Sequence, residues 1–137
     1  ALDSAIATNI KFDFWSSMEG YDVEWKYDSA SNSYKRFNGG KEDVDWEFDK
    51  PQIAAKNVVT MLVKETGPVD LEHHMFYAVT GTGKALIFQN GEVIKGTWTK
   101  KLPTDREVFT DETGDEIKMV RGQTWVEIVP ALNEISY

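Results

Sequence analysis

An all-β fold, an antiparallel sandwich or partly open barrel of about ten short strands with little helix, is what this sequence predicts. Three observations carry that reading. Apolar and polar residues alternate with period two in several runs. Turn residues recur at intervals of roughly 8–12 residues. Helix signals are confined to residues 1–8 and a turn near Asp70.

Taken in order, Ile10, Phe12 and Phe14 alternate with Lys11 and Asp13, the signature of a half-buried strand. Tyr21, Val23, Trp25 and Tyr27 then oppose Asp22, Glu24, Lys26 and Asp28. Residues 29–33 read as a turn and residues 34–37 as the returning strand. Asn38-Gly39-Gly40 tolerates positive φ and supplies the next turn. Val44, Trp46 and Phe48 alternate with Asp43, Asp45, Glu47 and Asp49 until Pro51, which lacks the N–H a ladder needs. Residues 58–63 are apolar and β-branched enough for a strand buried on both faces. The second half reads as a meander: strands over 74–80, 84–89 and 92–99, a glycine turn at 81–83 and an Asn90-Gly91 hairpin. A loop around Pro103 follows, then strands over 106–110, 116–120 and 124–129. No repeat and no linker divides residues 1–137, which read as a single domain.

Composition excludes several classes. With 41% hydrophobic and 28% charged residues the chain is globular, and no apolar stretch approaches the roughly 20 residues of a membrane span. The absence of cysteine removes disulfides, thiol nucleophiles and thiolate metal sites. A formal charge of −8 repels phosphate backbones, so nucleic acid is not an expected partner. The chain starts at Ala1 with no basic segment and no apolar h-region, so no signal peptide is visible.

Few residue patterns point to chemistry. Asp43, Asp45, Glu47 and Asp49 fall on one face of the expected strand, about 6–7 Å apart. Asp43, Asp45 and Glu47 are the candidates for a hard cation such as calcium. A flat row does not converge on one ion, however, so a solvated strand face is the simpler reading. Residues 111–116 look like part of a calcium loop but lack the EF-hand spacing, and a turn with Gly114 at positive φ fits better. His73 and His74 are adjacent and would point to opposite faces, so a shared metal is not expected. Gly81-Thr82-Gly83-Lys84 is not a phosphate loop, because a strand follows where a helix is needed. No G-x-S-x-G elbow occurs. Five tryptophans are many for 137 residues. Trp25, Trp46 and Trp125 alternate with apolar neighbours and are assigned to the core. Trp15, Tyr77 and Trp98 are the candidate aromatic contacts for a ligand.

Three C-terminal segments together resemble one family: Gly81 through Gly91 (GTGKALIFQNG), Gly96-Thr97-Trp98-Thr99-Lys100, and Gly122 through Pro130 (GQTWVEIVP). Upstream, Trp25-Lys26-Tyr27-Asp28, Tyr34-Lys35-Arg36 and Asn57-Val58-Val59 follow in the same order. The pattern is similar to the C-terminal domain of the YerB-like bacterial lipoproteins, from about Trp25 to Pro130. The family pattern has a histidine after the glycine turn, where this chain has Lys41 and Glu42, so no role for it is carried over. The resemblance implies a bacterial protein held at the outer face of the cytoplasmic membrane by a lipid-modified cysteine. It also implies a separate N-terminal domain, and hence an excised C-terminal fragment. It carries no established activity and no catalytic residue.

The expectation is therefore a non-catalytic, extracytoplasmic binding or assembly domain of an envelope lipoprotein. Its partner would be cell-wall glycan, another protein or its own N-terminal domain, and it would need no cofactor. One alternative is a cell-wall hydrolase using Asp43 or Asp45, which needs two carboxylates about 5–9.5 Å apart across a cleft. Another is a calcium-stabilised structural domain.

Overall fold

A computed structural model describes residues 4–137. In chain order the first strands are β1 (Ser4–Ile6), β2 (Asn9–Asp13), β3 (Asp22–Asp28), β4 (Ser33–Asn38), β5 (Lys41–Glu42), β6 (Ala54–Ala55) and β7 (Asn57–Val63). After them come β8 (Glu65–Thr66), β9 (Phe76–Tyr77), β10 (Gly81–Gln89), β11 (Glu92–Lys100), β12 (Val108–Asp111), β13 (Thr124–Pro130) and β14 (Ile135–Ser136). Two six-stranded sheets form a sandwich, and neither closes into a barrel. The first runs β1-β11-β10-β7-β13, with β12 also on β11. The second runs β14-β2-β3-β4-β5, with β6 also on β4. A separate ribbon pairs β8 with β9.

The alternation in the sequence explains the layers. Ile10, Phe12, Val23, Trp25 and Tyr34 of the second sheet meet Val58, Phe88, Val93 and Val129 of the first. β7 is buried on both faces, as its composition predicts. Val58 packs between the sheets, while Val59, Met61 and Val63 face a second cluster with Ala85, Ile87 and Trp98, which Phe109 and Ile117 help to complete. The valine, isoleucine, phenylalanine and methionine side chains among these each contribute about 1.5–3 kcal/mol on burial.

Several expectations are corrected. Among the described residues β13 lies parallel to β7, whereas every other strand pair is antiparallel. The helix expected over residues 1–8 is partly outside the described residues, and Ser4–Ile6 is a strand on β11. Residues 81–83 are strand and not turn, because β10 pairs with β11 as far as Gly81↔Lys100. Of the strand expected over 74–80 only β9 forms, and of 116–120 only the Thr110↔Glu116 bridge. The Asn90-Gly91 hairpin is as expected, with φ of +55° and +75°. The residue 111–116 turn is also as expected: Asp111 Oδ1 accepts the N–H groups of Thr113 and Asp115, and Gly114 has φ +91°.

Tyr34 is fully buried, and its hydroxyl oxygen accepts the Gly91 N–H at 3.0 Å, tying β4 to the hairpin. Burial pushes its pKa well above the usual phenol range. The folded chain thus holds this proton where the unfolded chain releases it, so stability is retained below about pH 10 and falls above it. Urea midpoints measured from pH 8 to 11 should decline with a slope that Tyr34→Phe reduces. An unchanged slope in the variant would remove Tyr34 as the cause.

Candidate functional site

The acidic segment does not form the expected strand. β5 ends at Glu42, and the chain then continues as a narrow hairpin, in which Val44 bridges Gln52 and the Asp45 N–H donates to the Pro51 carbonyl at 2.9 Å. Residues 46–49 form its tip turn, with Asp49 at φ +54°. Among the described residues none covers this tip, and Trp46 and Phe48 stay 73% and 70% exposed. This corrects the core assignment of Trp46. The carboxylates are not a row either. Asp43 pairs with Arg36 Nη1, and Asp45 Oδ1 accepts the Glu47 N–H at 3.0 Å. Asp43, Asp45 and Glu47 therefore do not converge, and among the described residues no three metal-ligating side chains do.

Where this hairpin meets the start of β13, an open groove of about 1080 Å³ lies between them. Trp46 and Phe48 line it from the hairpin tip, half-buried Trp125 from β13, and Gln52, Gln123 and Thr124 add polar groups. Ala55 of β6 belongs to the same lining. A surface of broad aromatic faces with amide and hydroxyl groups beside them can stack on a flat apolar face and hydrogen-bond its edges.

A buried ionic cluster adjoins the groove. Glu127 Oε1 accepts the Arg36 Nε–H at 3.0 Å and the Trp25 indole N–H at 3.1 Å. The Arg36 guanidinium carbon lies 5.3 Å from the Trp125 ring centroid and 5.8 Å from that of Trp25, and the two indoles meet edge-on at 5.7 Å. Arg36 and Trp25 belong to the second sheet, Glu127 and Trp125 to the first. The cluster therefore clamps the sheets together and fixes Trp125. Arg36 also anchors the hairpin, because its carbonyl accepts the Asp43 N–H and the Gln52 side-chain amide.

The three aromatic candidates are not brought together. Trp15 is 60% exposed in the loop between β2 and β3, tilted against Tyr21 at 5.8 Å. Tyr77 is 38% exposed on β9 and donates to Glu65 Oε2 at 2.7 Å, which with burial raises its pKa. Trp98 is a correction. It is 2% exposed, and its indole N–H reaches over Gly83 to the Leu62 carbonyl at 2.9 Å, so its ring offers no surface to a ligand. His74 Nδ1 lies 2.6 Å from Asp70 Oδ2, an interaction that holds the Asp70 carboxyl below the usual range. Sequence reasoning missed Trp46, Phe48 and the groove. The available signal was the brevity of the segment between Gly40 and Pro51, too short for a strand and its return to carry a buried face.

The model of the family described as "Protein of unknown function (DUF3048) C-terminal domain" matches residues 10–126. The protein named "Putative lipoprotein YerB" of Bacillus subtilis (strain 168) is 27% identical over 133 residues, which is 93% of this chain and 37% of that protein. The crystal structure of the Bacillus subtilis YerB protein superimposes with a TM-score of 0.80 at 27% identity. The match covers 99% of this chain and 46% of that one. The chain thus spans less than half the length of these relatives.

Proposed function

The chain belongs to the DUF3048 C-terminal domain family, and from that premise we propose that it is a non-catalytic, extracytoplasmic binding domain whose groove takes a cell-wall glycan strand. The observation that carries this reading is the exposure of Trp46 and Phe48 beside half-buried Trp125 along one groove. Large aromatic side chains left in water by a well-packed domain lose the free energy of burial unless a partner covers them. The Bacillus subtilis relative is named "Putative lipoprotein YerB", and that name supports a reading of action outside the cytoplasmic membrane.

The non-catalytic part rests on the carboxylates. Asp28, Asp70, Glu107, Asp111 and Glu116 are all held below their usual pKa range by hydrogen bonds, so none of these five is poised to donate a proton at neutral pH. Asp45 and Glu47 sit two residues apart on the same wall of the groove and not on opposite sides of a bound chain, as glycosidic cleavage requires, and Asp43 is tied to Arg36.

A protein partner is the second reading, favoured by the β8–β9 ribbon. There Leu71 is 97% exposed and Phe76 57%, with Tyr77 beside them. The Trp15–Tyr21 pair is a further contact surface for the same kind of partner.

The experiment is a tryptophan-fluorescence titration of the domain with soluble peptidoglycan oligosaccharides. A saturable change is expected, and Trp46→Ala should weaken it at least about tenfold, the loss of one stacked ring. An equal response from the variant would remove the groove as the site. Loss only in Trp15→Ala or Tyr77→Ala would move the contact to those residues.

A further inference from the structure

One edge of the sandwich is left open. β13 has β7 on one flank and, among the described residues, no strand on the other. The Gln123 carbonyl accepts the Asn57 N–H at 3.2 Å, and the Ala131 N–H donates to the Val63 carbonyl at 2.7 Å, so the odd-numbered residues of β13 face β7. Thr124, Val126 and Ile128 therefore turn their N–H and C=O groups to the open flank.

Native edges are usually blunted by brevity, charge or proline. The other edge strands of this domain are short: β1 has three residues, β12 four, and β5, β6 and β14 two each. β13 has seven, and its outer-face side chains Thr124, Val126 and Ile128 are uncharged and β-branched, with Val126 and Ile128 each 41% exposed. The charge in this strand, Glu127, is turned inward to Arg36 and Trp25 and does not guard the edge. Proline enters only at Pro130, the last position of the strand. The strand that fits such an edge is extended, uncharged and itself unpaired, and β13 of another copy is that strand.

We propose that this edge pairs with the same edge of a second copy, antiparallel about a two-fold axis centred on Val126. Thr124 then lies opposite Ile128 of the second copy, and Val126 opposite Val126. Each of these hydrogen-bonded pairs exchanges two bonds, so every outward donor and acceptor from Thr124 to Ile128 is used. The Val126 and Ile128 stripe of one outer face continues into that of the other. Centring the pairing on Glu127 instead opposes two carboxylates. It also sets Thr124 against Pro130, which has no N–H and whose carbonyl already accepts the Asn133 N–H at 2.9 Å. A two-fold pairing consumes the edge once on each copy and closes at the dimer. The −8 on each copy opposes the approach but is screened beyond about 8 Å at physiological salt. The proposal goes beyond the ligand reading: of the groove residues only Thr124 contributes hydrogen bonds to it.

The test is sedimentation velocity at rising concentration for the wild-type domain, Val126→Pro, Val126→Lys and Val126→Glu. The wild type is expected to dimerise, more tightly at high salt. Val126→Pro removes one outward donor from each copy and none from the ladder to β7, so it should weaken the dimer at least about tenfold. Val126→Lys and Val126→Glu should each stay monomeric alone and associate when mixed, because position 126 then faces its opposite charge. Urea midpoints check that the variants are folded, and if Val126→Pro is not, the Lys and Glu mixture decides. A wild type that stays monomeric at millimolar concentration would leave the edge to a strand of another chain and overturn the proposal. A dimer that Val126→Lys leaves intact would place the interface elsewhere, and a mixture that fails to associate would remove the register. Loosening by salt would mean that ion pairs join the copies. Each of these results overturns it as well.

Discussion

Replacement of Arg36 by alanine is expected to destabilise the domain by about 3–5 kcal/mol, the usual cost of leaving one partner of a buried ion pair alone. Arg36 and Glu127 have side chains only 11% and 6% exposed, so water cannot take over when the guanidinium is removed. The Glu127 carboxylate would keep the Trp25 indole N–H and lose its counter-charge. Asp43 and the stacked faces of Trp25 and Trp125 would lose their partner in the same step. Urea denaturation at neutral pH reads the loss directly. Glu127→Gln, which keeps an acceptor for both donors, should cost clearly less than Arg36→Ala. Equal costs would mean that the Glu127 charge itself, and not the retained acceptor and packing, holds this cluster.

Gly83→Ala has the second-largest expected effect, about 2–4 kcal/mol from overpacking together with a lost hydrogen bond. A Cβ at this position would sit 2.5 Å from Trp98 Nε1 and 2.8 Å from the Leu62 carbonyl oxygen. Register explains the crowding. The β10–β7 pairing ends at Ala85↔Met61, and the next carbonyl along β7, that of Leu62, accepts from Trp98 on the far side of β10. Only a residue without a side chain lets the indole cross. Trp98→Phe should lose the hydrogen bond, and in that background the further cost of Gly83→Ala should fall, since one of the two clashes is gone. Full additivity of the two changes would show that the indole does not depend on Gly83.

The fold was legible wherever local pattern and tertiary burial agree. Val23 and Trp25 face inward between exposed Asp22 and Lys26, as alternation requires, and Asn90-Gly91 turns where its φ preferences dictate. β14 escaped notice because two residues make no pattern, and its pairing with Phe12 and Lys11 lies more than a hundred positions away in the chain. The parallel β13–β7 pairing has no local signature either. Alternation misled at Val44, Trp46 and Phe48, since period two says only that a face is apolar and not that a layer exists to cover it. Trp98 shows the converse. Its context leaves core and groove open, and only the Leu62 carbonyl, 36 positions earlier, decides for the core. The groove depends on where a hairpin from one sheet passes β13 of the other, a relation that no window of sequence contains.

The central claim is that ligand is held at the Trp46–Phe48–Trp125 groove. The five tryptophans allow it to be tested in one nitrogen-15 NMR titration, because each indole N–H gives its own signal. With soluble peptidoglycan oligosaccharides, the signals of Trp46 and Trp125 are predicted to shift together and saturate. Those of Trp25 and Trp98, bonded to Glu127 and Leu62 inside the domain, should move little. Shifts confined to Trp15, or no saturable shift of Trp46 at millimolar ligand, would contradict the account.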